Sequence, residues 1–145
     1  MKKKFKRSKY NVKKVKPVYE GIEFDSKLEV NHYKYFLSNP NIEVVSFEPY
    51  FLLLEPFGYY CLEKNKERKY GKFSYKADFK LKVKGLDRDI IWESKGMVKP
   101  EFAIRKKVWY SQYGDEYYYV MSKSLKQCVK FFEDLEVRLN ESNFD

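Results

Sequence analysis

The sequence predicts an α/β domain, with a mixed sheet covered by helices in the order αβββαβα, and three observations carry that reading. Residues 73–84 alternate apolar and polar side chains at period two, the pattern of a half-buried strand. One turn later the apolar run Ile90-Ile91-Trp92 opens a second strand. Two segments with apolar residues at helical spacing begin at Ser26 and Ser124, each followed three residues on by Glu or Gln, the form of a capping box.

The elements follow in order. Residues 17–24 are an extended lead-in. A helix starts at Ser26 and runs to about Ser38, burying Leu28, Tyr33, Phe36 and Leu37, until Asn39-Pro40-Asn41 stops it. Residues 44–54 are strand-like, with Pro49 marking an edge or a bend. The glycine-bearing, charge-rich stretch 56–72 is a hairpin connection. The strand over 73–84 presents Phe73, Tyr75, Ala77, Phe79, Leu81 and Val83 on one face; Gly85-Leu86-Asp87 turns the chain into an antiparallel neighbour over 90–96. Pro100 starts a helix carrying Phe102, Ile104, Val108 and Trp109, with Arg105, Lys106 and Lys107 on its exposed face and an end near Gly114. Residues 116–121 are a short apolar strand, expected to be covered on both faces. The last helix repeats Leu125, Val129, Phe132, Leu135 and Leu139.

With 145 residues, 43% hydrophobic and 19% aromatic, the chain has enough apolar mass for one unstapled core. Cys61 and Cys128 provide neither a disulfide framework nor a zinc site, which points to a reducing, cytoplasmic setting. No apolar run approaches the roughly 20 residues that span a bilayer, so no membrane partner is expected. The net charge of +9 is unevenly placed: residues 1–16 hold eight Lys and Arg7 with no acid, and the remaining 21 basic residues balance 21 acidic ones. Residues 1–17 therefore read as a self-repelling, disordered tail that binds a polyanion by releasing counterions, and nucleic acid is the expected partner.

Chemistry concentrates at two places. In Trp92-Glu93-Ser94-Lys95 the strand period puts Glu93 and Lys95 on one face. Asp78, on the preceding strand, is brought beside Glu93 by the hairpin through Gly85. Two carboxylates there make an oxygen site for a hard divalent cation such as Mg²⁺, and the nearby lysine can position or activate a water. A carboxylate two residues before a lysine also occurs at Asp25 to Lys27 and Glu67 to Lys69, but only Glu93 to Lys95 ends an apolar run and has a strand-borne aspartate at hairpin distance.

The segments YKADF (75–79) and IIWESKG (90–96), preceded by FDSKLEVNHY (24–33), resemble the PD-(D/E)XK nuclease superfamily, and within it small phage endonucleases, including the endonuclease I family that resolves branched DNA. The likeness covers nearly the whole chain after the tail. It implies a restriction-endonuclease-like αβββαβ core with an added C-terminal helix, as a single domain over residues 18–145, working in the host cytoplasm if phage-encoded. It further implies that Asp78 and Glu93 bind Mg²⁺, with Mn²⁺ able to substitute, and that Lys95 aids the water. In several members a glutamate of the first helix joins the metal site. Glu29 occupies that place, and it is equally the residue whose carboxylate would reach back to the Ser26 amide as a helix cap. Ala77 stands where the family name has proline, a position that varies.

The expected function is accordingly a Mg²⁺-dependent endodeoxyribonuclease, structure-specific for branched DNA such as a Holliday junction, since a chain this short has little room for a major-groove reader. Resolving a junction takes two concerted cuts, hence a homodimer. A sequence-specific restriction-type nuclease and a non-catalytic nucleic-acid-binding module remain as alternatives. With His32 the sole histidine, two-histidine acid-base catalysis is excluded, and without a Walker-type loop no nucleotide cofactor is expected.

Overall fold

The computed structural model of the protein describes residues 15–142. In chain order the elements are β1 (Val18–Tyr19), β2 (Ile22–Glu23), α1 (Lys27–Ser38), β3 (Ile42–Phe47), β4 (Tyr50–Leu54), β5 (Phe57–Cys61), β6 (Lys66–Tyr70), β7 (Phe73–Lys76), β8 (Phe79–Val83), β9 (Ile90–Ser94), α2 (Pro100–Tyr113), β10 (Tyr118–Ser122) and α3 (Leu125–Ser142). The α/β class, the mixed sheet and the C-terminal helix stand as expected. The tail expectation over residues 1–14 lies outside the described residues; Lys16 already belongs to the fold, with its ammonium 2.8 Å from Asp25. Among the described residues no helix is long and apolar enough to cross a membrane.

The central sheet runs β10-β9-β8-β3, with β10 parallel to β9 and the other pairs antiparallel. Helices α1 and α3 cover one face, where Phe36, Phe79, Leu81, Ile90, Trp92, Cys128 and Phe132 form a core. Trp92 is fully buried, stacked on Phe132 at 5.3 Å and meeting the edge of Phe36 at 5.2 Å. Helix α2 covers the other side, where Phe51, Leu53, Tyr75, Ala77, Ile91, Phe102 and Trp109 pack together.

The expected strand over 73–84 is therefore two strands. Period two keeps residues 73 to 83 on one face of a regular strand, yet Tyr75 and Ala77 join the α2 core while Phe79, Leu81 and Val83 join the opposite one. The chain changes faces at Asp78, between β7 and β8. The stretch read as one strand over 44–54 breaks opposite it, at Glu48 (φ +48°) and Pro49, which is the bend that Pro49 signalled. The break is stitched by Glu48 N–H to the Asp78 carbonyl (3.0 Å), Ala77 N–H to the Pro49 carbonyl (3.1 Å) and Asp78 N–H to the Trp92 carbonyl (3.1 Å).

Local chemistry sets the helix ends. Ser26 caps α1, its Oγ accepting from the Glu29 amide at 3.2 Å, and Ser124 caps α3 by accepting from Gln127 N–H at 3.1 Å. Gly114 closes α2 because a Cβ there would stand 2.6 Å from the Tyr110 carbonyl oxygen. Gly85 turns β8 toward β9 at φ +87°, a left-handed conformation that glycine adopts freely.

Several side-chain expectations are corrected. Leu37, Ile104 and Leu125 are exposed, because His32, Trp109 and Cys128 take the fully buried positions of their helices. Strand β10 is covered on both faces as expected, Val120 packing on the α1–α3 core and Tyr119 and Met121 on the α2 core, while Tyr118 at its start is exposed. Arg105 and Lys106 are half-buried rather than solvated, held over Phe73 (4.9 Å) and Tyr119 (4.9 Å).

Candidate active site

Asp78 sits at the face change because a strand interruption leaves its carboxylate outside the regular ladder. Its Oδ2 accepts from the Ser94 amide at 2.7 Å, which ties it to the end of β9. Glu93, one residue before that amide, points to the α2 side and is buried; its Oε2 accepts from the Tyr75 hydroxyl at 2.6 Å. Tyr75 in turn lies 3.0 Å from the Tyr119 hydroxyl. Glu29 enters from the first turn of α1, also buried, and its Oε2 accepts from the Asp25 amide at 3.2 Å. The cap thus closes on Asp25 and not on the Ser26 amide expected from the sequence, and the same carboxylate is free to lean toward Asp78.

The three carboxylates act on one another electrostatically. Burial and the neighbouring Asp78 carboxylate push Glu29 up to about 8. Burial and the Glu93 charge push Asp78 up to about 7, against the pull of the Ser94 amide and of the proton that Glu29 offers it. Burial also raises Glu93, while the Tyr75 hydroxyl and the Lys95 charge draw it down. None of the three is in an ion pair among the described residues. The carboxylates are concentrated and partly desolvated, with the Lys95 charge opposing that of Glu93.

Lys95 leaves β9 just beyond Ser94, its amide still donating to the Ser122 carbonyl at 3.0 Å. Its ammonium lies 4.0 Å from the centroid of Phe102, so α2 provides the seat for the lysine. Of the other two carboxylate-to-lysine pairs, Asp25 borders the carboxylates and its charge raises Glu29 and Asp78, but it is bridged to Lys16, while Glu67 and Lys69 lie away on the exposed strand β6.

Among the described residues no group of three or more His, Cys, Asp or Glu side chains stands where it could hold a metal ion. In chemistry the donor set is all oxygen, the kind a hard divalent cation takes, with Glu29 held by the Asp25 amide, Glu93 by the Tyr75 hydroxyl and Asp78 by the Ser94 amide. Mg²⁺ asks for one or two carboxylates and takes its remaining oxygens from water and substrate phosphate. The surface hollows beside Asn39 and Phe132 and beside Tyr110 and Phe131 lie away from these side chains.

Sequence reasoning brought Asp78, Glu93, Lys95 and Glu29 together; it missed the groups that hold them. His32 is fully buried one turn after Glu29. Its Nδ1 accepts from the Trp92 indole (3.3 Å) and from Ser94 Oγ (2.5 Å), and its Nε2 donates to the Ser124 carbonyl (3.1 Å). Burial lowers its pKa, keeping it neutral. His32 thereby joins α1 to the end of β9 and the start of α3, fixing Glu29 relative to Asp78. Tyr75 was visible only as a core position of an alternating strand. Its place three residues before Asp78, on the face Glu93 shares, was the available signal.

Comparison with curated proteins gave no match, and comparison with solved structures gave none. A family model described as a protein of unknown function (DUF1064) matches residues 7–131, so the chain belongs to that family.

Proposed function

We propose that this protein is a metal-dependent endodeoxyribonuclease of PD-(D/E)XK type, built on a restriction-endonuclease-like core. The observation that carries the reading is the meeting of Glu29, Asp78 and Glu93 with Lys95 seated beside them. A bound Mg²⁺ would supply Lewis-acid stabilisation of the scissile phosphate and a water of lowered pKa. Glu29, Asp78 and Glu93 would hold it, with Tyr75 and the Ser94 amide orienting two of the three. Lys95, cationic and tethered over Phe102, would hold the attacking water and offset charge developing on the phosphate. A chain of 145 residues leaves little room for a major-groove reader, which favours recognition by shape, hence branched DNA and a homodimer able to make paired cuts.

The test is incubation of the protein, Glu93→Gln and Lys95→Ala with labelled linear duplex, single strand, flap and four-way junction, with Mg²⁺ or with chelator. Metal-dependent cutting lost in both variants supports the assignment, and the preferred substrate defines the specificity. Equal DNA binding by all three proteins with no cutting would replace it by a non-catalytic binding module.

A further inference from the structure

Asp78 lies on the return limb of one long antiparallel hairpin, between β7 and β8. Strands β3, β4 and β5 run out along it, and β6, β7 and β8 return. The inner third lies in the central sheet and the middle third packs on α2. The outer third, β5–β6, pairs only with itself, and every residue of β6 is exposed. An isolated two-stranded ribbon is marginal in water, so an arm of this kind is retained for what it touches.

Its two faces differ. The cross-strand pairs Phe57 with Tyr70, Tyr59 with Arg68 and Cys61 with Lys66 share one face, which bears three aromatic rings, two cations and no acid. The rings are assembled into a platform: Tyr59 stacks on Tyr70 at 5.0 Å and 15°, and Phe57 leans on Tyr70 at 5.5 Å. Phe57 and Tyr70 nevertheless remain 50% and 57% exposed. Residues 57–72 carry Lys64, Lys66, Arg68, Lys69 and Lys72 against Glu63 and Glu67. Charged side chains along the ribbon discourage strand addition by a second copy.

We propose that β5–β6 is a nucleic-acid arm that stacks unpaired bases on the Phe57, Tyr59 and Tyr70 platform while Lys66 and Arg68 meet the adjoining phosphates. Flat exposed rings beside cations suit bases whose faces are bare, which a flush duplex does not offer. Strand β6 lies roughly 26 to 40 Å along the hairpin from Asp78 at about 3.3 Å per residue, so the arm engages nucleotides well away from the carboxylates. This inference rests on the reading that the substrate is DNA, and it gives the preference for branched substrates a structural source.

The test is fluorescence anisotropy on the full chain in chelator, with a single-stranded oligonucleotide, a flap and a flush duplex. Phe57→Ala and Tyr70→Ala should weaken single-strand and flap binding about tenfold and leave the flush duplex unchanged. The double variant Lys66→Ala with Arg68→Ala, which changes only surface charge, should lower the slope of log affinity against log salt by roughly 1.4, for two phosphates on a single strand. All variants binding every DNA like the parent would overturn the proposal, as would variants that alter only the oligomeric state in sedimentation, which would assign the surface to a second copy. If the parent cuts nothing yet the variants lose single-strand binding, the arm stands and the nuclease falls. If the parent cuts with Mg²⁺ and the variants bind unchanged, the reverse holds.

Discussion

The Glu29 and Asp78 carboxylates meet where the first turn of α1 reaches the break between β7 and β8, and Asp78 responds to both Glu29 and Glu93. In the unfolded chain such groups ionise near pH 4. In the fold they retain protons to about 8 and about 7. Between these limits the folded state binds more protons than the unfolded one, so metal-free protein loses stability as pH rises from about 5 to about 8. Thermal melting in chelator should show a lower midpoint at pH 8 than at pH 6. Glu29→Gln should flatten the slope, and Mg²⁺ at pH 8 should raise the midpoint by binding only the folded site. A midpoint insensitive to all three would remove the carboxylate cluster from the account.

Tyr75→Phe removes the hydroxyl that Glu93 Oε2 accepts from at 2.6 Å and leaves the Tyr119 hydroxyl without that partner. The cost to stability is about 1–2 kcal/mol, read from denaturant midpoints. Metal affinity, measured by calorimetry, should fall roughly 10- to 100-fold, while truncating the distant Leu62, which is 82% exposed, should change neither.

His32→Leu keeps the bulk of the ring and strands the Trp92 indole N–H and the Ser94 hydroxyl. Each buried orphan costs about 1–3 kcal/mol, so the variant should unfold at clearly lower urea. His32 also acts on the acid side. Its folded pKa lies below the ordinary value, so its contribution is present above about pH 6.5 and is lost as pH falls through the folded value. Where the two windows overlap, the His32 contribution offsets only part of the loss that Glu29 and Asp78 cause as pH rises.

Glu48 stands at φ +48° with an exposed ion pair to Lys76 at 3.6 Å. Left-handed backbone costs an L-residue roughly 1–2 kcal/mol, and the ion pair returns less than about 1 kcal/mol. Glu48→Gly should therefore leave the melting temperature unchanged or slightly higher, whereas Glu48→Val should lower it.

Much of this was legible in the residues. The helix caps at Ser26 and Ser124, the turn at Gly85 and the link of Asp78 to the Glu93 strand follow from local rules, and the structure contains all four, although the returning bonds of Glu29 and Gln127 go to Asp25 and Lys123. The break at Asp78 was not legible, because period two reads the same on either side of a reversal of faces; only the packing of Tyr75 on one core and Phe79 on the other reveals it. The burial of His32 was equally hidden. Its partners Ser94 and Ser124 lie 62 and 92 residues away, and no local pattern reports such distances.

The reversal at Asp78 also divides the carboxylate cluster between two foundations. Glu29 is anchored through α1 to the α1–α3 core, whereas Tyr75 and the seat of Lys95 belong to the layer under α2. The cluster is thus a vice whose jaws are bolted to separate beds. Changes confined to α2 can shift the reach of the lysine and leave the Glu29–Asp78 pair intact, so this molecule can be retuned one jaw at a time.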